Sequence, residues 1–172
     1  AEITGPARPR LDAAVHDLEL KVPEATLADP RADFDRLNAA AGGTLHGIDI
    51  AAVRRIPELL RSGGWTLHAR VRGGCVIDVA PLGSHTLGLA VDLGTTNAAG
   101  FLIDLRSGNR LASLGIENPQ AGWGADLVSR INHAIGSAAA LEELRAAAAT
   151  AIDALAHDLA LAVGARPEHI VE

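Results

Sequence analysis

The stretch Gly88-Leu89-Ala90-Val91-Asp92-Leu93-Gly94-Thr95-Thr96-Asn97 decides how the second half of this chain is read. Leu89-Ala90-Val91 is an apolar run of strand type that leads straight into a carboxylate, a glycine and two hydroxyl residues. A second apolar run, Ala99 to Leu105, returns from that bend, and Ser107-Gly108 turns the chain again into Arg110 to Ile116. Connections this tight join antiparallel neighbours, so the spacing predicts a meander of three strands. The bend itself has a physical use. Glycine lets a backbone approach a ligand closely, and the exposed amides of such a turn can surround phosphate oxygens. Thr95 and Thr96 add hydroxyl donors, and Asp92 supplies the carboxylate that a hydrated magnesium ion or an attacking water requires. The same residues also suit an ordinary hairpin bend, and spacing alone leaves the two readings level.

Downstream, Glu117-Asn118-Pro119-Gln120 reads as a loop. A helix from about Ala125 carries Leu127, Val128, Ile131 and Ile135 on one face. A longer helix follows, with Leu141, Leu144, Ala148, Ile152, Leu155 and Leu159 at three- and four-residue steps, and Gly164 closes it. Pro167 to Glu172 reads as the approach to another strand. Three antiparallel strands, helices, then a strand about to begin is the entry sequence of the ribonuclease-H-like fold. Asp126 and Arg130 stand four apart at the start of the first helix. They are either a helix-end carboxylate with an ordinary intrahelical pair, or residues lining a cleft. Asn118 and Gln120 likewise either satisfy the loop backbone or face that cleft.

Upstream, residues 1–30 are rich in proline (Pro6, Pro9, Pro23, Pro30) around Leu18 to Val22, whose alternation suggests a strand or an extended linker. Asp29-Pro30 has helix-start chemistry, Phe34 and Leu37 give that helix its apolar side, and Gly42-Gly43 ends it. Asp49 caps a second helix with Ile50 and Val53 inward. Pro57 is expected to break it, leaving a short third helix from Glu58 to Arg61 that ends at Gly63-Gly64. Trp65 to Arg72 and Cys75 to Leu82 alternate as strands, and Gly73-Gly74 between them is a strong hairpin signal. Residues 29–82 therefore read as a small α+β module with a helical start and a hairpin finish.

Composition narrows the function. The chain has 172 residues, 48% hydrophobic and 21% charged, which is a globular balance. Its net charge of −6, its single lysine (Lys21) and 2% aromatic content argue against a nucleic-acid partner, which needs clustered cations or stacking platforms. No apolar run approaches a membrane span and no signal-peptide pattern is present, so no membrane association and a cytoplasmic location are expected. The chain begins at Ala1 without a methionine, and a removed upstream segment is expected. Cys75, the one cysteine, excludes a disulfide framework or a cysteine metal site and reads as a small hydrophobe at a strand start. The seven histidines show no ligand spacing, and the acidic residues are too dispersed to nominate a glycosidase pair.

Several of these segments also carry a family likeness. Gly88 to Thr96 looks like the first phosphate-binding hairpin of the acetate kinase, sugar kinase, heat-shock ATPase and actin superfamily (ASKHA). Asn118-Pro119-Gln120 followed by Gly124-Ala125-Asp126-Leu127-Val128-Ser129-Arg130-Ile131 is similar to the signature of reductive activators of corrinoid enzymes. Val22-Pro23 through Thr26-Leu27-Ala28-Asp29-Pro30, then Asp33 and Asp35-Arg36-Leu37, resembles the linker-to-middle segment of those activators. Trp65 to Val79, ending Val76-Ile77-Asp78-Val79, resembles their hairpin leading into the ATPase domain. The likeness runs from about residue 18 to the end. The hairpin is shared by many kinases; its combination with the Asn-Pro-Gln and Gly-Ala-Asp segments is much more specific.

The resemblance implies a linker at 1–28, a middle domain at 29–85 and, at 86–172, the N-terminal portion of an actin/hexokinase-type ATPase domain. The expected fold class is α/β (α+β overall): a helix-plus-hairpin module, then a partial ribonuclease-H-like subdomain. It implies ATP-dependent return of cob(II)amide to cob(I)amide on the corrinoid protein of a methyltransferase system. Gly94, Thr95, Thr96, Asn97, Asn118 and Gln120 are then nucleotide contacts. Asp92 is a magnesium ligand, and Asp92 and Asp126 are catalytic. Members of this family join an N-terminal ferredoxin-like domain with a 2Fe-2S cluster, which needs four cysteines where this chain has Cys75 alone. Asn97 stands where the family often has a third Thr or Ser. The second phosphate loop and the adenosine-binding segment are expected beyond Glu172. This stretch by itself is therefore expected to bind no cofactor and to hydrolyse no ATP. Uncovered apolar surface at such an end is expected to favour a homodimer or domain swap. Two other readings are a sugar or carboxylate kinase, which leaves residues 18–82 unexplained, and a non-catalytic docking or dimerisation module.

Overall fold

Gly73 and Gly74 both adopt left-handed backbone, at φ 54° and 77°, and this two-residue bend sets the first sheet. The computed structural model describes residues 11–172. The chain divides into two units, one comprising the residues up to Ser84 with Leu105–Gly108, the other His85–Asp104 with Asn109–Glu172.

The first unit is built on strands β1 (Val15–Lys21), β2 (Gly47–Ile48), β3 (Thr66–Arg72) and β4 (Cys75–Ala80), and its sheet runs β1-β3-β4-β2. Helices α1 (Asp33–Ala40) and α2 (Ile50–Ser62) cover it. The strand expected at Leu18 to Val22 is β1. Its full antiparallel ladder with β3, Val15 opposite Arg72 to Lys21 opposite Thr66, makes it part of this sheet. Leu67, Ala69 and Val71 of β3 meet Ile56 and Leu60 of α2, Leu37 of α1, and Val76 and Val79 of β4 in one buried cluster. Each such side chain contributes roughly 1.5–3 kcal/mol when taken out of water.

Three expectations for this unit are corrected. Helix α1 begins at Asp33 after Ala32, with no side-chain cap, so Asp29 does not cap it. Asp29 instead receives Arg31 at 2.7 Å and Arg36 at 2.8 Å. The Arg31 guanidinium is the main cause holding its carboxyl far below the usual range. Helix α2 runs through Pro57 without a break. Pro57 is exposed, so the carbonyl its missing N–H leaves free can turn to water. Asp49 does cap α2, accepting from the amide of Ala51 at 2.8 Å. The inward residues, however, are Ala52, Ile56 and Leu60, while Ile50 and Val53 are 64% and 39% exposed. The inward stripe is thus rotated from the one expected.

Three arginines fasten this unit together. Arg36 is fully buried, and its guanidinium donates to the carbonyls of Glu24 and Arg31 at 3.3 Å, to the Asp29 carboxylate, and to the Asp29 carbonyl. It folds residues 23–31 back onto α1. Asp78 of β4 receives both Arg70, its buried cross-strand partner, and Arg55 of α2.

The second unit begins as expected. Strands β5 (Leu87–Leu93), β6 (Asn97–Asp104) and β7 (Arg110–Glu117) form an antiparallel meander in the order β5-β6-β7. A 3-10 turn (Pro119–Trp123) leads to α3 (Leu127–Gly136) and α4 (Ala138–Ala162). Helix α4 lays Leu155, Leu159 and Ala160 on Leu87, Ala98 and Leu102. Beyond it the chain returns to β5. Ile170 bridges Leu87 in parallel, Val171 donates to the Leu87 carbonyl at 2.9 Å, and Leu89 donates to that of Glu172 at 2.8 Å. A helical crossover bringing a parallel segment beside the first strand of an antiparallel meander is the ribonuclease-H-like order.

Helix α3 departs from expectation. Leu127, Val128, Ile131 and Ile135 are 49–76% exposed, and the buried residue of the helix is Arg130. Leu141 of α4 is exposed as well, at 58%. Periodicity identified an apolar face correctly, but it cannot tell which face meets the sheet.

Replacing Arg36 with Met removes every one of its side-chain bonds and leaves the carbonyls of Glu24, Asp29 and Arg31 without their donor, while the Asp29 carboxylate keeps Arg31. We expect a loss of roughly 3 kcal/mol, read as a lower urea midpoint at unchanged slope.

Candidate functional site

Strands β5 and β6 are joined by three residues, Gly94-Thr95-Thr96, with Leu93 and Ala98 the last cross-strand pair. Gly94 is required here by crowding. A Cβ at this position would lie 2.8 Å from the carbonyl oxygen of Asn97, too close for any side chain.

All three carbonyls of the bend are tied. The Asn118 side chain donates to Gly94 O at 2.7 Å, Arg130 Nη2 to Thr95 O at 2.6 Å, and the Asn118 amide to Thr96 O at 2.8 Å. A trans peptide holds its C=O and the following N–H antiparallel. Tying the carbonyls of Gly94 and Thr95 therefore aims the amides of Thr95 and Thr96 away from Asn118 and Arg130. Neither amide donates to another described residue. Thr95 and Thr96 are exposed, so two N–H groups and two hydroxyls stand together at the turn.

Asn118 is the fixed point behind this bend. It is 2% exposed, and while its amide nitrogen holds Gly94, its Oδ1 accepts from the Gln120 amide at 2.9 Å. Gln120 in turn donates through Nε2 to Leu144 O of α4 at 2.9 Å. The two residues thus satisfy the loop backbone and also line a cavity of about 350 Å³ beside the bend. Gly94, Thr95 and Arg130 border the same cavity, and its apolar wall comes from Leu127, Ile131 and Leu141. That volume is within the range of small-ligand sites. The contribution of α3 and α4 to this wall was missed in the sequence, where Leu127, Ile131 and Leu141 read as core.

The two aspartates sit differently. Asp92 is exposed on β5 opposite Ala99, two residues before Gly94. Asp126 caps α3: its Oδ1 accepts from the Ser129 amide at 2.8 Å and its Oδ2 from the Ser129 hydroxyl at 3.0 Å. Those bonds, the amide first, hold its carboxyl below the usual range. Neither aspartate lines the cavity. The surface pair expected between Asp126 and Arg130 does not form, because Arg130 is buried and donates to Gly124 O and Thr95 O. Asn97 opens β6, exposed.

No group of three His, Cys, Asp or Glu among the described residues is placed to hold a metal by itself. One exposed carboxylate beside a turn with outward amides would suit magnesium, which keeps most of its waters and takes the rest of its shell from phosphate oxygens. An iron–sulfur cluster does not fit this chain, which has one cysteine.

With this geometry in view, the comparisons with known proteins converge. Residues 7–86 match the family model described as the RACo linker region, and residues 87–172 the one described as the RACo middle region. This chain belongs to the RACo family of reductive activators of corrinoid proteins. The family descriptions use the word linker for the first unit apart from its first six residues and Leu105–Gly108, and middle for the rest, and their border falls within three residues of Ser84–His85. A curated relative, "Corrinoid activation enzyme RamQ" of Eubacterium limosum, is 32% identical over 106 residues, 59% of this chain and 18% of the relative. A solved structure titled "Reductive activator for corrinoid,iron-sulfur protein" matches 96% of this chain at 28% identity with a TM-score of 0.74, and this chain covers 28% of that one. This chain thus spans less than a third of either relative's length.

Asn118→Asp tests the tie. It sets a carboxylate oxygen against the Gly94 carbonyl, so the charged form is disfavoured in the folded state and its pKa is raised. The variant should be less stable than wild type at pH 7 by about 1–3 kcal/mol. It should recover as the pH falls through that raised value, where a protonated carboxyl can donate to Gly94 O; unfolding midpoints across pH 4–7 measure this.

Proposed function

We propose that this chain carries one wall of the nucleotide site in an ATP-dependent activator that returns cob(II)amide to cob(I)amide on a partner corrinoid protein of a methyltransferase system. The observation that supports the nucleotide part is the bend itself: its carbonyls are tied back to Asn118 and Arg130, and the amides of Thr95 and Thr96 have no partner among the described residues. Backbone amides fixed in advance bind phosphate oxygens without reorganisation. The Thr95 and Thr96 hydroxyls add donors, Gly94 keeps side-chain bulk out of the approach, and Asp92 is the carboxylate for a hydrated magnesium ion. Asp126 acts by capping α3, which carries Arg130 to the bend.

Nucleotide turnover supplies free energy for a one-electron reduction that ordinary donors cannot complete, since each ~59 mV of mismatch costs a factor of ten. A 2Fe-2S cluster would need four cysteines, which this chain does not supply, so any such electron source would be held by residues outside this stretch. What supports the corrinoid part is kinship: the RamQ relative is named for corrinoid activation and the solved relative for activating a corrinoid iron–sulfur protein. A sugar or carboxylate kinase would share the bend, but it gives no reason for the family match over residues 7–86.

The test uses the full-length protein. Gly94→Val should weaken ATP binding by more than about tenfold in calorimetry and abolish ATP-driven loss of the cob(II)amide signal, because its side chain collides with the Asn97 carbonyl and displaces the bend. The 172-residue chain alone should show no ATP turnover above background. A full-length protein without affinity for ATP would falsify this reading.

A further inference from the structure

We propose that Arg130 is a positioning residue for the nucleotide, a buried cation that fixes the phosphate bend and strengthens its donors. The inference deepens the reading of Gly94–Thr96 as a phosphate site and rests on it.

Arg130 is 5% exposed on a helix whose large apolar residues stand open. Helices normally bury the reverse set, so this inversion needs a cause. Its Nε donates to Gly124 O at 2.8 Å and its Nη2 to Thr95 O at 2.6 Å, and both acceptors are neutral. No carboxylate forms an ion pair with it among the described residues. Asp126, one turn earlier, directs both its oxygens to Ser129. A guanidinium taken out of water is an expensive arrangement, and here the Asp126 carboxylate acts on it through its charge without a direct hydrogen bond. Arg130 borders the same cavity as Gly94 and Thr95, on the carbonyl side of the bend, opposite the side to which the Thr96 amide points.

The link to the ligand runs through one peptide. The Thr95 carbonyl that Arg130 holds belongs to the same peptide as the Thr96 N–H. A charged donor on the oxygen polarises that peptide and makes its N–H a stronger donor to an anion on the far side. Arg130 therefore acts on the phosphate without needing to touch it, in orientation through the hydrogen bond and in charge through the polarised amide. Gly124 extends the arrangement. A Cβ there would lie 2.6 Å from the Ser129 Cβ and 3.0 Å from the Arg130 amide, so the Gly124 loop sits tightly on the first turn of α3 and holds Arg130 in place.

The experiment compares full-length wild type with Arg130→Met and Arg130→Lys, measuring ATP and ADP affinity by calorimetry, KM and kcat for ATP, and thermal unfolding. The Met variant should raise the Kd for ATP by about tenfold or more and raise KM by more than it lowers kcat. Lys, which keeps the charge but reaches one carbonyl at most, should recover part of the affinity. A purely structural role would lower the unfolding temperature and leave the Kd of the folded fraction alone. A folded Met variant whose Kd stays within about twofold of wild type overturns the inference; if Met does not fold, the same result for Lys overturns it. A wild type that binds no nucleotide overturns the phosphate reading and this inference together. Normal wild-type binding with an unaffected variant overturns this inference alone.

Discussion

Three successive carbonyls held from one side organise the second unit. Asn118 takes two of them and Arg130 the third, so the β5–β6 bend is fixed by bonds from segments that lie more than twenty residues away in the chain. A three-residue bend at the end of a hairpin would otherwise be among the loosest parts of a fold. Here the 3-10 turn and α3 are both recruited to hold it. Because peptides are planar, fixing the oxygens also fixes where the N–H groups point. The donors at Thr95 and Thr96 are therefore set before any ligand arrives, which is the property an anion site needs most.

This constraint accounts for features that otherwise look unrelated. Asn118 is buried in a loop because both ends of its side chain are in use, one on Gly94 and one on the Gln120 amide. Gln120 ties the same loop to α4 through Leu144. Asp126 caps α3 and so sets the start of the helix that delivers Arg130. The family signature of Asn-Pro-Gln followed by Gly-Ala-Asp and Ser-Arg is thus, in this chain, largely the set of residues that support the bend.

The first unit shows a parallel economy. Arg36 gathers the carbonyls of Glu24, Asp29 and Arg31, and Asp78 gathers Arg55 and Arg70. Residues that look like surface charges in the sequence are the points where irregular backbone, or one strand and a helix, are fastened to the sheet. Arg suits this because its planar fork offers five donors in fixed directions, where Lys offers one flexible charge.

Local chemistry alone determined a good deal of this protein. The Gly73-Gly74 hairpin, the Asp49 cap and the three-strand meander were all legible, because each depends on residues close together in sequence. The bend at Gly94 was legible as a tight turn between two antiparallel strands. What tertiary structure decided was the direction in which things face. Periodicity marked the apolar side of α3 but not that this side stays open, and spacing offered Asp126 as a partner for Arg130 when the guanidinium instead lies buried against Thr95. It likewise suggested a break at Pro57, which the exposed side of α2 absorbs. A sequence records which groups a residue could reach along its own helix or strand; which distant carbonyl it finally holds is settled only when the elements pack.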